Sequence, residues 1–472
     1  MRETLLKARP NIFLLVIDSL RRDHVSCYGY GRKTTPNIDE FSSHSIVFED
    51  AISPSGWTPP VFASILTGTY PSKNGAGTYT PALPMLTDLL HSSGYETFGV
   101  TISPFVAATS RGYDEFTYLD RESARNLMFS RDRRALADFA ALVLKHGSIR
   151  NIESMGLGYL LNRVTKRWIE KHHGRGPLFA LVHYSAHWPY APPEPFLSQF
   201  LGDSVRSHVE DVKRDVYELM GQGNLEQKLQ VIRALYDGQI GWADACVGDL
   251  LRYLKSTGLI DNSIVIITSD HGDMLGEHGL LFHEFALYEP LIRVPFLLRF
   301  PDLYRKGKQY DGLVQTLDIL PTLLDYLEIE RSNLTEDIQG KSLLKLVEEK
   351  DSRSFAISER SDWTQGGIKA RKLGYLERTY KSFDWRECMH EVAIRTRELK
   401  YLRSFEGRGE LYNIENDPGE CTNLISLESH KAVELIGQID KWRSSFTTAK
   451  QAMVESELDR FAKEKLRKLG YL

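Results

Sequence analysis

Short, unbroken apolar runs punctuate this chain. Ile264-Val265-Ile266-Ile267 is rich in β-branched residues and is bounded by polar ones. Such a run predicts a strand buried on both faces, as in a parallel sheet. Asn11-Ile12-Phe13-Leu14-Leu15-Val16-Ile17 predicts a second. Strand and helix patterns alternate over residues 1–355, which predicts an α/β architecture: a large, mostly parallel sheet sandwiched by helices. Two polar, helix-rich stretches interrupt it, Arg121 to Arg175 and Phe196 to Tyr236. Each reads as a substrate-selecting lid or as a solvated insertion. Glu391 to Thr396 followed by Leu399 to Arg403 predicts a hairpin in a smaller C-terminal α+β domain, residues 356–425. A helical tail, 426–472, follows. In it Val433, Ile436, Ile439 and Trp442 recur at three-residue spacing as the face expected to dock.

The chemistry-bearing residues stand where these runs end. Ile267 leads into Thr268-Ser269-Asp270-His271-Gly272-Asp273, and Ile17 into Asp18. Ligands of open α/β sheets gather beyond the carboxyl ends of the strands. Carboxylate and imidazole together there are either half of a metal site or a capped turn with a surface histidine. Asp18 supplies the other half if the two strands are neighbours. Between them, Pro59 to about Thr67 predicts a short helix, with proline in its first turn, Gly68 at its close and Thr58 as its N-cap. Thr58 is then either an ordinary cap or a nucleophile at a helix end that favours negative charge.

Taken together, these segments resemble the sulfatase branch of the alkaline-phosphatase superfamily. The resemblance runs in order through Tyr28-Gly29-Tyr30, Thr35-Pro36-Asn37-Ile38-Asp39 and Leu66-Thr67-Gly68-Thr69-Tyr70-Pro71. It continues through Gly241 to Leu251, Thr268 to Gly279, Arg293-Val294-Pro295, Asp318 to Thr322, Gly340 to Leu343, Glu410 to Asn413 and Asn416 to Glu420. It implies that Asp18, Asp270 and His271 are metal ligands, that Thr58 occupies the nucleophile position, and that His187 contacts the transferred group or its leaving oxygen.

Several positions depart from the sulfatase pattern. Cys or Ser is usual at the nucleophile, with proline two residues on and arginine four residues on; here these are Thr58, Pro60 and Phe62. A threonine's secondary alcohol cannot be oxidised to the aldehyde that sulfatases use. His283 stands where a lysine is usual, and Thr101-Ile102-Ser103-Pro104 replaces a lysine-histidine pair. Threonine as nucleophile is instead similar to phosphotransferase and phosphodiesterase members of the superfamily. The expected reaction is hydrolysis or transfer of a small anionic ester of phosphoric type through Thr58. Sulfate-ester hydrolysis by unmodified Thr58 and a non-catalytic anion-binding role are the alternatives. The cation would be held by Asp18, Thr58, Asp270 and His271. Mixed carboxylate and imidazole donors fit Mn²⁺ or Zn²⁺ better than Ca²⁺, the usual sulfatase metal. His187 or His283 would serve the leaving oxygen, or, if they converge, hold a second metal.

Bulk properties narrow the field. A net charge of −4 offers no basic footprint for nucleic acid. Cys27, Cys246, Cys388 and Cys421 are scattered, without zinc or disulfide spacing. No apolar run approaches the ~20 residues of a membrane span. The first strand begins within about ten residues, short of a signal peptide's length. A cytoplasmic protein is the expectation. Asp23, His24, Arg21 and Arg22 read as a solvated turn. Asp273, Glu277 and His278 read as turn residues, and nothing in the sequence indicates an oligomeric state.

Overall fold

The computed structural model describes residues 9–75, 83–120, 152–202, 209, 212, 225–283, 286–303, 307–330, 338–349, 353–360 and 388–446. The leading strands are β1 (Asn11–Asp18), β2 (Ile46–Ile52), β3 (Glu96–Thr101), β4 (Glu115–Tyr118), β5 (Leu178–Ser185) and β6 (Ser263–Thr268). A small hairpin of β7 (Met274–Leu275) and β8 (Leu281–Phe282) follows, then β9 (Arg293–Arg299) and β10 (Lys308–Gln315). Apart from the hairpin these form one eight-stranded sheet, in the order β10-β2-β9-β6-β1-β5-β3-β4. Among the described strands of this sheet, only β9 runs against its neighbours. The mostly parallel sheet expected from the apolar runs is therefore present.

β1 lies at the centre because it is apolar on both faces. Phe13, Leu15 and Ile17 pack into one core, while Ile12, Leu14 and Val16 pack into the other. That division is the two-residue period of a strand. Helices cover both sides: α1 (Thr58–Thr67), α2 (Ile152–His172), α3 (Leu225–Ser256) and α4 (Ile319–Tyr326). α1 and α4 lie against the Val16 face, α2 and α3 against the Phe13 face. α2 falls within the first polar stretch, yet Leu160, Leu161, Trp168 and Ile169 are buried against the sheet. This helix is part of the body rather than a solvated insertion. The Arg131-Asp132-Arg133-Arg134 cluster lies outside the described residues.

A second, antiparallel sheet contains β11 (Ala356–Glu359), β12 (His390–Arg395), β13 (Leu399–Ser404) and β14 (Gly409–Asn413) in sequence order. The β12–β13 pair is the hairpin expected from the sequence. α5 (Ser429–Ser444) docks on it through Ala432, Leu435, Ile439 and Trp442. Val433, assigned to the docking face by three-residue spacing, is 67% exposed. A strict three-residue repeat drifts around a helix of 3.6 residues per turn, whereas the 3-4-3 spacing keeps one face.

Polar groups as well as apolar ones bind the two sheets together. Lys400 on β13 is fully buried and lies 3.1 Å from Glu289 and 2.7 Å from Glu420. Against its burial, Lys400, Arg395 and Arg293 hold Glu289 down at about 2. Burial pushes Glu420 up to about 7, against Lys400. A raised folded pKa contributes stability that is complete below the unfolded value of about 4.3 and is lost as pH rises through the folded one. Glu289 has the opposite sign, and its contribution is lost only toward pH 2. Between about pH 5 and 8, thermal stability should therefore fall with rising pH through Glu420. Glu420→Gln should flatten the Tm profile over that window, and parallel profiles for the two proteins would acquit Glu420.

Candidate active site

Parallel pairing of β1 with β6 sets Val16 beside Thr268, so Asp18 and Asp270 leave the sheet at one rim. Ser269 clasps the two strand ends, its hydroxyl donating to Ile17 O at 2.7 Å and accepting from Leu20 N–H at 2.9 Å. Asp270 Oδ1 accepts the N–H groups of Ser19 (3.2 Å) and His271 (2.9 Å). Gly272 follows because the chain passes too tightly for a side chain. A Cβ there would meet Pro290 O at 2.0 Å.

His271 Nδ1 lies 2.9 Å from Gly272 O. A carbonyl only accepts, so Nδ1 donates there and Nε2 is the ring nitrogen facing the carboxylates. That Nε2 is 3.1 Å from Thr58 Oγ1 and 3.6 Å from both Asp18 Oδ1 and Asp270 Oδ2. The four residues singled out from the sequence as metal site and nucleophile therefore meet. All are buried, with Asp270 and His271 at 0% exposure.

Thr58 is not the N-cap of its helix. Trp57 holds that position, with extended φ and ψ, and Thr58 is the first helical residue. Counted from Thr58, the N–H groups a capping hydroxyl would accept belong to positions 60 and 61; Pro60 has none, and the helix has no side-chain cap bond. The Thr58 hydroxyl faces His271 instead.

Burial and the neighbouring Asp270 drive the Asp18 carboxyl well above its ordinary range. Against burial, His271 and His183, with Ser19 N–H and the Thr58 hydroxyl, hold Asp270 below its ordinary range. Two buried carboxylates in such proximity call for a cation. The donors fit one: Asp270 Oδ2 is buried without a hydrogen-bond partner, and the available atoms are carboxylate oxygen and imidazole nitrogen. His183, from β5, lies in the same cluster. Burial lowers its imidazole to about 4, so the ring is neutral at ordinary pH. The sequence reading passed over it because it lies within a buried-strand run.

A second cluster adjoins the first. His283 Nδ1 pairs with Asp273 Oδ1 at 2.7 Å, and Asp273 Oδ2 accepts the Tyr190 hydroxyl at 2.7 Å. The His283 ring lies 4.4 Å from that of His271 and 4.8 Å from that of His187. The two candidate acid histidines do converge, and Asp273 is no mere turn residue. His271, Asp273 and His283 place potential ligand atoms within 4.8 Å of one another. Arg21, expected on a solvated face, is 3% exposed. Its guanidinium binds Asp23, Glu277 and the carbonyl of Asp273, because the turn after β1 folds inward over the rim. His24 is buried too, with Nδ1 2.7 Å from Asp237. His278 stacks on Tyr288 at 3.7 Å. From beyond β11, Arg360 reaches the rim, buried, with its guanidinium 5.9 Å from the Trp57 ring and donating to His283 O at 3.2 Å. No sequence signal connected it to Thr58, 302 positions earlier.

Solved structures described as sulfatases and as phosphonate monoester hydrolases share this fold. The profile described as Sulfatase matches residues 10–329, and that described as N-sulphoglucosamine sulphohydrolase, C-terminal, matches residues 276–443. The chain belongs to the sulfatase family. It is similar to the N-acetylglucosamine-6-O-sulfatase of Bacteroides thetaiotaomicron, at 24% identity covering 93% of this chain and 87% of that protein. The arylsulfatase of Clostridium perfringens is 26% identical, with 90% and 92% covered. The phosphonate monoester hydrolase of Agrobacterium radiobacter shares the fold at a TM-score of 0.69 and 22% identity, covering 93% of this chain and 95% of that one. So does a structure solved in complex with its substrate D-glucosamine-2-N,6-O-disulfate, at a TM-score of 0.70 and 19% identity, with 95% and 100% covered. Among the described residues, no helix is long and apolar enough to cross a membrane.

If the rim holds a cation, Asp270→Asn should weaken divalent-metal binding on the order of 100-fold, as read by chelator competition. Metal content equal to wild type would remove Asp270 from the site.

Proposed function

We propose that this chain is a divalent-cation-dependent hydrolase of small phosphoric-type esters, phosphonates and phosphodiesters included, that works through a covalent Thr58 intermediate. The observation that carries the reading is the Thr58 hydroxyl, uncommitted to helix capping and 3.1 Å from His271 Nε2 between two buried carboxylates. A bound Mn²⁺ or Zn²⁺, or Ca²⁺ as in typical sulfatases, would be held by Asp18, Asp270, His271 and Thr58. It would supply charge neutralisation and favour ionised Thr58.

Thr58 loses its proton to solvent and attacks phosphorus in line. The bond from Thr58 oxygen to phosphorus forms as the bond to the leaving oxygen breaks. His283 gives its Nε2 proton to that oxygen, because Asp273 engages Nδ1 and turns the other ring nitrogen outward. His187, beside it, faces the same leaving group. Water then passes a proton back to His283 and attacks phosphorus, and Thr58 departs and is reprotonated. An alcohol in place of water would make the reaction a transfer. Arg360, from the second sheet, adds positive charge beside Trp57 for an anionic substrate.

The names of the relatives favour a second reading, sulfate-ester hydrolysis. Thr58 cannot furnish the aldehyde hydrate that expels sulfate by elimination, so a sulfated Thr58 would have to be cleared by attack on sulfur. A metal-supplemented screen of phosphate mono- and diesters, phosphonates and sulfate esters separates the readings. Turnover confined to sulfate esters would overturn the first.

Thr58→Ala should lower kcat on the best substrate on the order of 10³-fold or more, with Thr58→Ser far milder. Full activity in the alanine variant would strip Thr58 of its role. Asp273→Asn should cost about 10²–10⁴-fold on alkyl esters and much less on 4-nitrophenyl esters, whose leaving group needs no proton. Equal losses on both would exclude His283 as the acid.

A further inference from the structure

We propose that His183 is a further protein ligand of the cation held by Asp18, Asp270 and His271, giving the rim two imidazoles and two carboxylates. This rests on the metal-dependent reading above and deepens it, since such a donor set selects a transition metal over Ca²⁺.

β1 and β5 are parallel neighbours, with Val16 opposite His183 and Asp18 opposite Ser185. Two-residue alternation puts Asp18 on the face of Val16, and His183 on the face of Leu181 and Phe179, which belong to the same core as Val16. The two side chains therefore emerge on one side of the sheet. His183 Nε2 is fully buried, has no hydrogen-bond partner and lies 4.0 Å from Asp18 Oδ2. That distance is too long for a hydrogen bond. It is compatible with two ligands of one ion, since donors each about 2.1 Å from a shared metal lie about 3–4 Å apart. Donor atoms of Asp18, His183 and Asp270 all lie within 4.8 Å of one another, and His271 Nε2 is 3.6 Å from each aspartate.

The opposite edge of the imidazole is also fixed. His183 Nδ1 is 2.9 Å from Thr101 Oγ1, which accepts Ser103 N–H at 2.9 Å. With Nδ1–H given to Thr101, Nε2 directs its lone pair toward the carboxylates, the outer contact that metal-binding histidines generally make. Phe62 of α1 meets the ring edge-on, with centroids 5.1 Å apart at 86°, and closes the remaining side.

The test uses full-length protein loaded with one equivalent of Zn²⁺. X-ray absorption should count two imidazoles at the metal in wild type and one in His183→Gln. Chelator competition should show affinity reduced on the order of 10–100-fold or more in His183→Gln, and about 10–100-fold in Thr101→Val. One imidazole in wild type, or unchanged affinity in His183→Gln, overturns the proposal. If His183→Gln does not fold, the wild-type count and Thr101→Val decide. Asp270→Asn separates the two levels. Binding lost there but kept in His183→Gln sinks only the role of His183, whereas wild type that takes up no divalent cation sinks the metal-dependent reading as well.

Discussion

Parallel pairing of β1 with β6 is the constraint from which the site follows. It brings two carboxylates to one buried rim, where burial and their mutual repulsion drive Asp18 far above its ordinary range. Two carboxylates within 4.8 Å of each other in a buried setting repel strongly when both are charged. The fold tolerates that juxtaposition through its apolar strands. Ile12 to Ile17 and Ile264 to Ile267 bury nearly all their surface and hold the strand ends in register. Apolar burial lies in the sheet, and the buried charges lie at its rim.

Around that rim, several residues depart from the sulfatase pattern while the architecture is kept. The chain is a sulfatase-family hydrolase by sequence and by fold. Yet Thr58, which the resemblance aligns with the nucleophile, carries a hydroxyl that cannot become an aldehyde, and Phe62 and His283 align with positions where the family usually places cations. Imidazoles dominate instead, with His271, His283 and His187 in ring contact. Asp273, joined to His283 and Tyr190, gives one of them a fixed orientation. Pro60 removes one of the N–H groups that could engage the Thr58 hydroxyl, and the helix has no side-chain cap bond.

How much was legible followed from how local each signal is. A buried strand shows as an apolar run, and an acid that ends it shows as the last residue of the run; Asp18, Asp270 and His271 were visible on that basis. The proposed role of Thr58 needed the family resemblance, because by itself the segment is an ordinary helix start. Arg21 was misread because a charged turn looks solvated unless its partners, Asp23 and Glu277, are known to surround it. Val433 was misassigned by a repeat that drifts around the helix.

By itself, the sequence determined the apolar strands, their acidic ends, the threonine in place of an oxidisable residue, and the two-sheet organisation. Only the tertiary structure decided that His183 faces the aspartates, that Asp273 orients His283, and that Arg360 arrives from the second sheet. These facts depend on which strands become neighbours and at what register. A one-residue slip would turn every side chain of a strand to the opposite face. Alternation along a strand says that a residue faces one side or the other, and only the pairing says what waits there.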